Sequence, residues 1–262
     1  MSQTQYKDVD VNYTDEGNGP AVVLLHGFLE DHSMWDDLAK EFSSSHRVIR
    51  IDLLGHGATG VLGDIHSMED QAEMVKAVTQ KIGVDRYTVI GHSMGGYIAL
   101  ALADLYPEDI AGLCLMNSTS LPDSPEKKIN RDRAVEAVRS NHRSFVRIAI
   151  PGLFAPESRK RFQDRVKEVT EVALAIPPEG ITAALEGMKI RKDRSKVFKE
   201  GKYPKLMIIG KQDPALDLET LIPQTKYPGV ETTVFGDGHM SHIENQKELT
   251  ETLSRFLERS SS

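Results

Sequence analysis

The chain has 262 residues, 39% hydrophobic and 27% charged, enough for one large α/β domain or a core with an insertion. A net charge of −7 argues against nucleic acid as a partner. No apolar run reaches the length of a membrane span, so no membrane partner is expected. The polar start (Met1-Ser-Gln-Thr-Gln-Tyr-Lys7) lacks a signal-peptide core, and the expected location is cytoplasmic. Cys114 is a single cysteine in an apolar run and reads as core packing, and no Cys/His cluster has metal-ligand spacing.

Val9 to Thr14 alternates apolar and polar residues and predicts a half-buried strand, closed by the turn Asp15 to Pro20. Ala21 to Leu25 predicts a fully buried strand, followed by His26-Gly27-Phe28-Leu29. Met34 to Phe42 has helical spacing, and Arg47 to Asp52 reads as a strand entering the turn Asp52-Leu-Leu-Gly-His-Gly57. Ser67 with Asp70 forms a capping-box variant that opens a helix running through Lys81. Further strands are predicted at Thr88–Ile90, Ile110–Met116, Lys205–Gly210 and Val230–Phe235, and an amphipathic helix over Gln246–Arg259. Ser260 to Ser262 reads as a frayed end. Strands alternating with helices predict a mostly parallel sheet covered on both faces.

Within this order, Gly91-His-Ser93-Met-Gly95 stands between an apolar strand and a helical run through Ile98 to Ala103. A G-x-S-x-G sequence in a strand–turn–helix setting is a nucleophile elbow: the glycines admit a sharp turn that exposes the serine hydroxyl. Serine needs a base, and the base needs an orienting acid. Groups just past strand ends supply both in the order Ser…Asp…His, namely Asp213 after Ile208-Ile209 and His239 after Val234-Phe235. His239 competes with His242, which is expected to face the following helix or solvent. Asp213 competes with Asp217, well past its strand, and with Asp237, too close to His239 in sequence. His26 and His56 read as loop-holding residues and His92 as a pocket or packing residue. Asp52 and Gly55-x-Gly57 shape a loop; the glycine fingerprint of a dinucleotide site is missing.

These pieces together resemble the α/β-hydrolase superfamily, in the capped branch that carries many small carboxylesterases. The matching stretches are His26-Gly27-Phe28, Asp52 to Gly57, Gly91 to Gly96, Gly210-Lys-Gln-Asp213 and Gly238-His239-Met-Ser-His-Ile-Glu244. The resemblance implies Ser93 as nucleophile, His239 as base and Asp213 as acid, with the backbone N–H groups of Phe28 and Met94 as the oxyanion hole. It implies no cofactor and no metal. Phe28-Leu29 stands where some lipases carry a triple glycine, which resembles the branch with narrower acyl pockets. A serine nucleophile argues against the dehalogenase and epoxide-hydrolase members. The implied activity is hydrolysis of small to medium acyl esters. A C–C hydrolase or proton-abstraction lyase, a carrier-linked ester or thioester hydrolase, and a ligand-binding module are the competing readings.

The rhythm breaks between roughly Ser120 and Lys202, a helical and charged stretch read as a cap (120–202) over a core made of 1–119 and 203–262. Residues 120–202 carry 19 Lys and Arg against 12 Asp and Glu, and the remainder carries 13 against 27. The plain reading is a solvated helical face over an acidic core; the sharper one is a docking surface for an acidic carrier or an anionic substrate. Apolar residues such as Phe145, Leu153, Leu185 and Met188 could roof an acyl pocket. Pro151-Gly152, Pro177-Pro178 and Gly180 read as turns that break the cap into several helices.

Overall fold

A computed structural model describes residues 2–260. Its elements, in chain order, are β1 (Ser2–Tyr6), β2 (Val9–Glu16), β3 (Ala21–Leu25), α1 (Asp36–Phe42), β4 (Arg47–Ile51), α2 (Met68–Lys81), β5 (Tyr87–His92), α3 (Met94–Leu105) and β6 (Ile110–Met116). Then follow α4 (Pro125–Gly152), α5 (Pro156–Arg161), α6 (Gln163–Leu174), α7 (Pro178–Lys189), α8 (Ser195–Glu200), β7 (Lys205–Gly210), α9 (Leu218–Thr225), β8 (Val230–Phe235), α10 (Ser241–Glu244) and α11 (Gln246–Ser260). The eight strands form one sheet in the order β1-β2-β4-β3-β5-β6-β7-β8. β1, β2 and β4 pair antiparallel, and every pair from β4 through β3 to β8 is parallel.

The continuous apolar runs take the centre of the sheet, because a strand covered by helices on both faces must be apolar on both. Val22 to Leu25 of β3 and all of β5 are buried. One face packs on α2 and α3, and the other on Trp35, α1 and α11, where Cys114 lies fully buried beneath Phe256 and Leu257. The Ser67 hydroxyl accepts from the Asp70 amide at 3.0 Å and caps α2 as the pattern predicts. The predicted Met34–Phe42 helix divides into a 3-10 turn over His32–Trp35 and then α1. Ser260, read from the sequence as part of a frayed end, instead closes α11 and donates to the Phe256 carbonyl at 3.0 Å; residues 261–262 lie outside the described residues.

The five helices α4 to α8 stand between the neighbouring parallel strands β6 and β7. α4 is kinked at Asn141, whose backbone is non-helical. α4 packs against α6 and α7, whereas α8 returns to pack on α3. Gly180, read from the sequence as a turn, lies inside α7 instead. The reason is a close approach: a Cβ there would collide with the backbone of Gly55. Glycine at this position lets the inserted helix rest directly on the loop after β4.

No helix among the described residues is long and apolar enough to cross a membrane.

Candidate active site

Ser93 sits between β5 and α3 with φ 50° and ψ −114°, a left-handed conformation costly for a residue with a Cβ. The turn is held by the Ser93 amide donating to Met116 O (2.9 Å) and by Gly96 donating to Ser93 O (3.0 Å). A Cβ on Gly91 would overlap the Gly95 carbonyl, and one on Gly95 would overlap the Leu25 carbonyl of β3. The two glycines therefore allow different contacts, the first the turn itself and the second the seating of α3 against the sheet.

The loops after β7 and β8 bring Asp213 and His239 to this turn. His239 Nε2 lies 2.9 Å from Ser93 Oγ, and His239 Nδ1 lies 2.7 Å from Asp213 Oδ2. Asp213 is almost fully buried, and its other oxygen accepts from the amides of Ala215 (2.8 Å) and Leu216 (3.1 Å). Burial disfavours its charge, but His239 and these donors outweigh burial and hold the carboxyl below its ordinary value. The rival carboxylates serve elsewhere. Asp217 caps α9, and Asp237 accepts from Ser158 and Asn245. His26 and His56 make local loop bonds, His26 to Gly27 O and the Leu53 amide, His56 to Leu54 O.

Three supporting residues escaped the sequence reading. Asn117, directly after β6 with φ 46°, donates from Nδ2 to Asp213 Oδ2 and to Gly238 O, both at 3.2 Å. Its Oδ1 accepts from Ser241 at 2.6 Å, so one side chain braces both loops. Its place just past a strand end was the signal available. Glu244, in the quoted Gly238–Glu244 stretch, accepts from the amides of Gly238, Met240 and Ala155, tying the His239 loop to the segment before α5.

Glu30 is the third. Its Oε2 accepts from the Gly27 amide at 2.6 Å and bonds His92 Nδ1 at 2.7 Å. His92 Nε2 lies 3.0 Å from the His239 carbonyl. Both ring nitrogens face acceptors, which calls for a doubly protonated imidazolium. Burial opposes both charges, yet the pairing prevails: the Glu30 carboxyl falls to about 2, and His92 rises above its ordinary value. His242 is buried beside this pair rather than facing solvent, because α10 is a single turn buried at all four positions. Burial lowers its pKa to about 3. The ligand atoms of Glu30, His92 and His242 all lie within 4.8 Å of one another. With both His92 nitrogens already engaged, this group offers a metal two ligands rather than three.

Ser93, His92 and His239 line a cavity of about 370 Å3 with Phe28, Tyr97, Phe145, Leu153, Leu185, Met188 and Leu216. Residues of α4 and α7 thus form part of its wall, as the apolar pattern of the insertion anticipates. β3 and β5 are parallel neighbours with Leu25 opposite Gly91, so Phe28 and Met94 follow adjacent strand ends. Met94 opens α3, where the first amides have no acceptor within the helix. The arrangement can transfer a proton from the serine to the histidine beside a helix N-terminus that favours negative charge.

A thermophilic esterase from Thermogutta terrifontis, solved with malate bound, superposes with a TM-score of 0.92 and 30% identity, covering 97% of this chain and 95% of that one. Pyrrolizixenacetamide deacetylase from Xenorhabdus hominickii is 24% identical over 98% of both chains. The dihydrolipoyllysine-residue acetyltransferase component of an acetoin cleaving system from Pseudomonas putida is 28% identical over 92% of this chain. The match spans only 64% of that relative's length. The family model described as the alpha/beta hydrolase fold matches residues 20–246. The chain belongs to the alpha/beta-hydrolase family.

Proposed function

We propose that the chain is a serine ester hydrolase working by acyl transfer on small to medium acyl esters. The observation that carries this reading is the continuous hydrogen-bond line Ser93–His239–Asp213 opening into one cavity. His239 takes the Ser93 proton as the hydroxyl oxygen attacks the ester carbonyl. The Phe28 and Met94 amides receive the developing oxyanion, each contributing about 3 kcal/mol on the scale of comparable sites. His239 then protonates the departing alcohol, and water, deprotonated by the same imidazole, releases the acid. Asp213 holds the imidazole tautomer and stabilises its charge. The esterase relative supports ester chemistry, and the deacetylase relative is compatible with amide bonds entering the same cycle.

The test is hydrolysis of p-nitrophenyl esters of increasing acyl length by the wild type and by Ser93→Ala. Turnover by the wild type alone is the expected result, with the best chain length sizing the cavity. Absence of turnover on every ester would overturn the reading and favour the lyase or the binding module.

A further inference from the structure

About half of the basic residues in 120–202 form ion pairs in the folded chain. Arg161 pairs with Asp237, Lys189 with Asp132, and Lys192 and Arg194 with Glu69. Three of these partnerships, those of Arg161, Lys192 and Arg194, cross to core carboxylates. The wall of the Ser93 cavity is different. Lys127 and Arg131 lie four residues apart on α4, hence on one helix face, and both line the cavity. Lys127 Nζ donates to the Ala215 carbonyl at 3.3 Å and has no carboxylate partner among the described residues. Arg131 shares a single carboxylate, Asp123, with Arg191: the Nε of one and an Nη of the other reach it at 3.1 and 2.6 Å. Glu30 is the carboxylate on the wall, and it is buried and held by His92. Two guanidinium groups on one carboxylate, with Lys127 unmatched beside them, leave the α4 wall of the cavity with net positive charge.

We infer that this cavity selects esters whose acyl part carries a second carboxylate, the half-esters of short dicarboxylic acids. Lys127 and the free edge of the Arg131 guanidinium take that carboxylate while the ester carbonyl rests at Ser93. The inference rests on the ester-hydrolase reading and narrows it. A small anion is favoured over an acidic carrier protein because Lys127 and Arg131 line the same cavity as Ser93, within which a carboxylate on the acyl chain would meet them. Half-burial of Lys127 and Arg131 keeps their field from being fully screened by solvent.

The experiment compares monomethyl glutarate with its uncharged counterpart, the methyl ester of glutaric acid monoamide, at constant pH, alongside p-nitrophenyl butyrate. The wild type is expected to show kcat/KM at least tenfold higher for the anionic ester. Lys127→Gln and Arg131→Gln should each lower that ratio several-fold, mainly through KM, and Lys127→Glu should bring it below one. Raising ionic strength should lower the wild-type ratio. A wild-type ratio near one, or one that the three variants leave unchanged, would overturn the inference while p-nitrophenyl butyrate is still cleaved. A preference confined to carrier-linked esters would overturn it in favour of protein docking. If no ester is cleaved, the inference falls together with the hydrolase reading.

Discussion

His92 Nδ1 and Glu30 Oε2 lie 2.7 Å apart, each side chain almost wholly excluded from solvent, and the pair joins two loops that meet at Ser93. Through Glu30 it holds the Gly27 amide, next to Phe28; through His92 it holds the His239 carbonyl. Glu30→Gln removes the charge while keeping the shape. Leaving one partner of a buried pair unmatched costs about 3 kcal/mol or more. We expect a clear fall in melting temperature and a kcat/KM reduced about tenfold or more, because the Phe28 and His239 loops lose their common anchor. Thermal unfolding and steady-state kinetics on one ester check both. Native melting and kinetics together would show the pair to be idle.

The same pair has a definite pH window. Glu30 falls to about 2 in the fold, so its contribution is present above its ordinary value near 4.5 and is lost as pH falls toward 2. His92 rises, so its contribution is complete below 6.5 and is lost as pH climbs through its raised value. The pair is strongest between those limits. Titrating the His92 ring by nuclear magnetic resonance should therefore show protonation persisting above pH 6.5 in the wild type and moving down in Glu30→Gln.

Three other histidines act in the opposite sense. Burial lowers His56 and His242 to about 3 and His66 to about 4. Each stays neutral in the fold at pH 5 but is protonated in the unfolded chain, so each removes stability as pH falls below 6.5, by about 2 kcal/mol at pH 5. Melting temperature should drop steeply between pH 6.5 and 4.5. His66→Gln should flatten that slope; an unchanged slope would assign acid sensitivity to other groups.

Asp213→Asn keeps the shape of the side chain but loses the charge that supports protonated His239. A reduction in kcat of about 10^3 to 10^4 is expected, on the scale of comparable triads, with a far smaller change in KM. Rapid-quench or steady-state kinetics on a p-nitrophenyl ester reads this directly. A loss confined to KM would remove Asp213 from the proposed mechanism.

What could be read in advance followed from local pattern. The buried strands carry β-branched runs, and Ser93, Asp213 and His239 each stand just past a strand end. β1 was not legible, because Ser2-Gln-Thr-Gln has no apolar alternation and is a strand only through its pairing with β2. α9 was hidden by Pro223 within it. Glu30 meets His92 across 62 positions and Asn117 meets Gly238 across 121, so their roles arise from tertiary contact alone. Gly180 misled for a related reason: a glycine chosen for backbone approach looks in one dimension like a glycine chosen for a turn.

Asn117 offers a test that separates backbone strain from bracing. It has φ 46°, which asparagine tolerates better than alanine, and its amide joins Asp213, Gly238 and Ser241. Asn117→Ala loses the bonds and adds strain; Asn117→Gly loses the same bonds but relieves the backbone. If bracing governs activity, both variants should lower kcat by a similar factor, about tenfold. The glycine variant should melt higher than the alanine variant by about 1 kcal/mol of recovered strain. If glycine instead restores kcat to the wild-type value, the backbone turn after β6 matters to the site and the side-chain bonds do not.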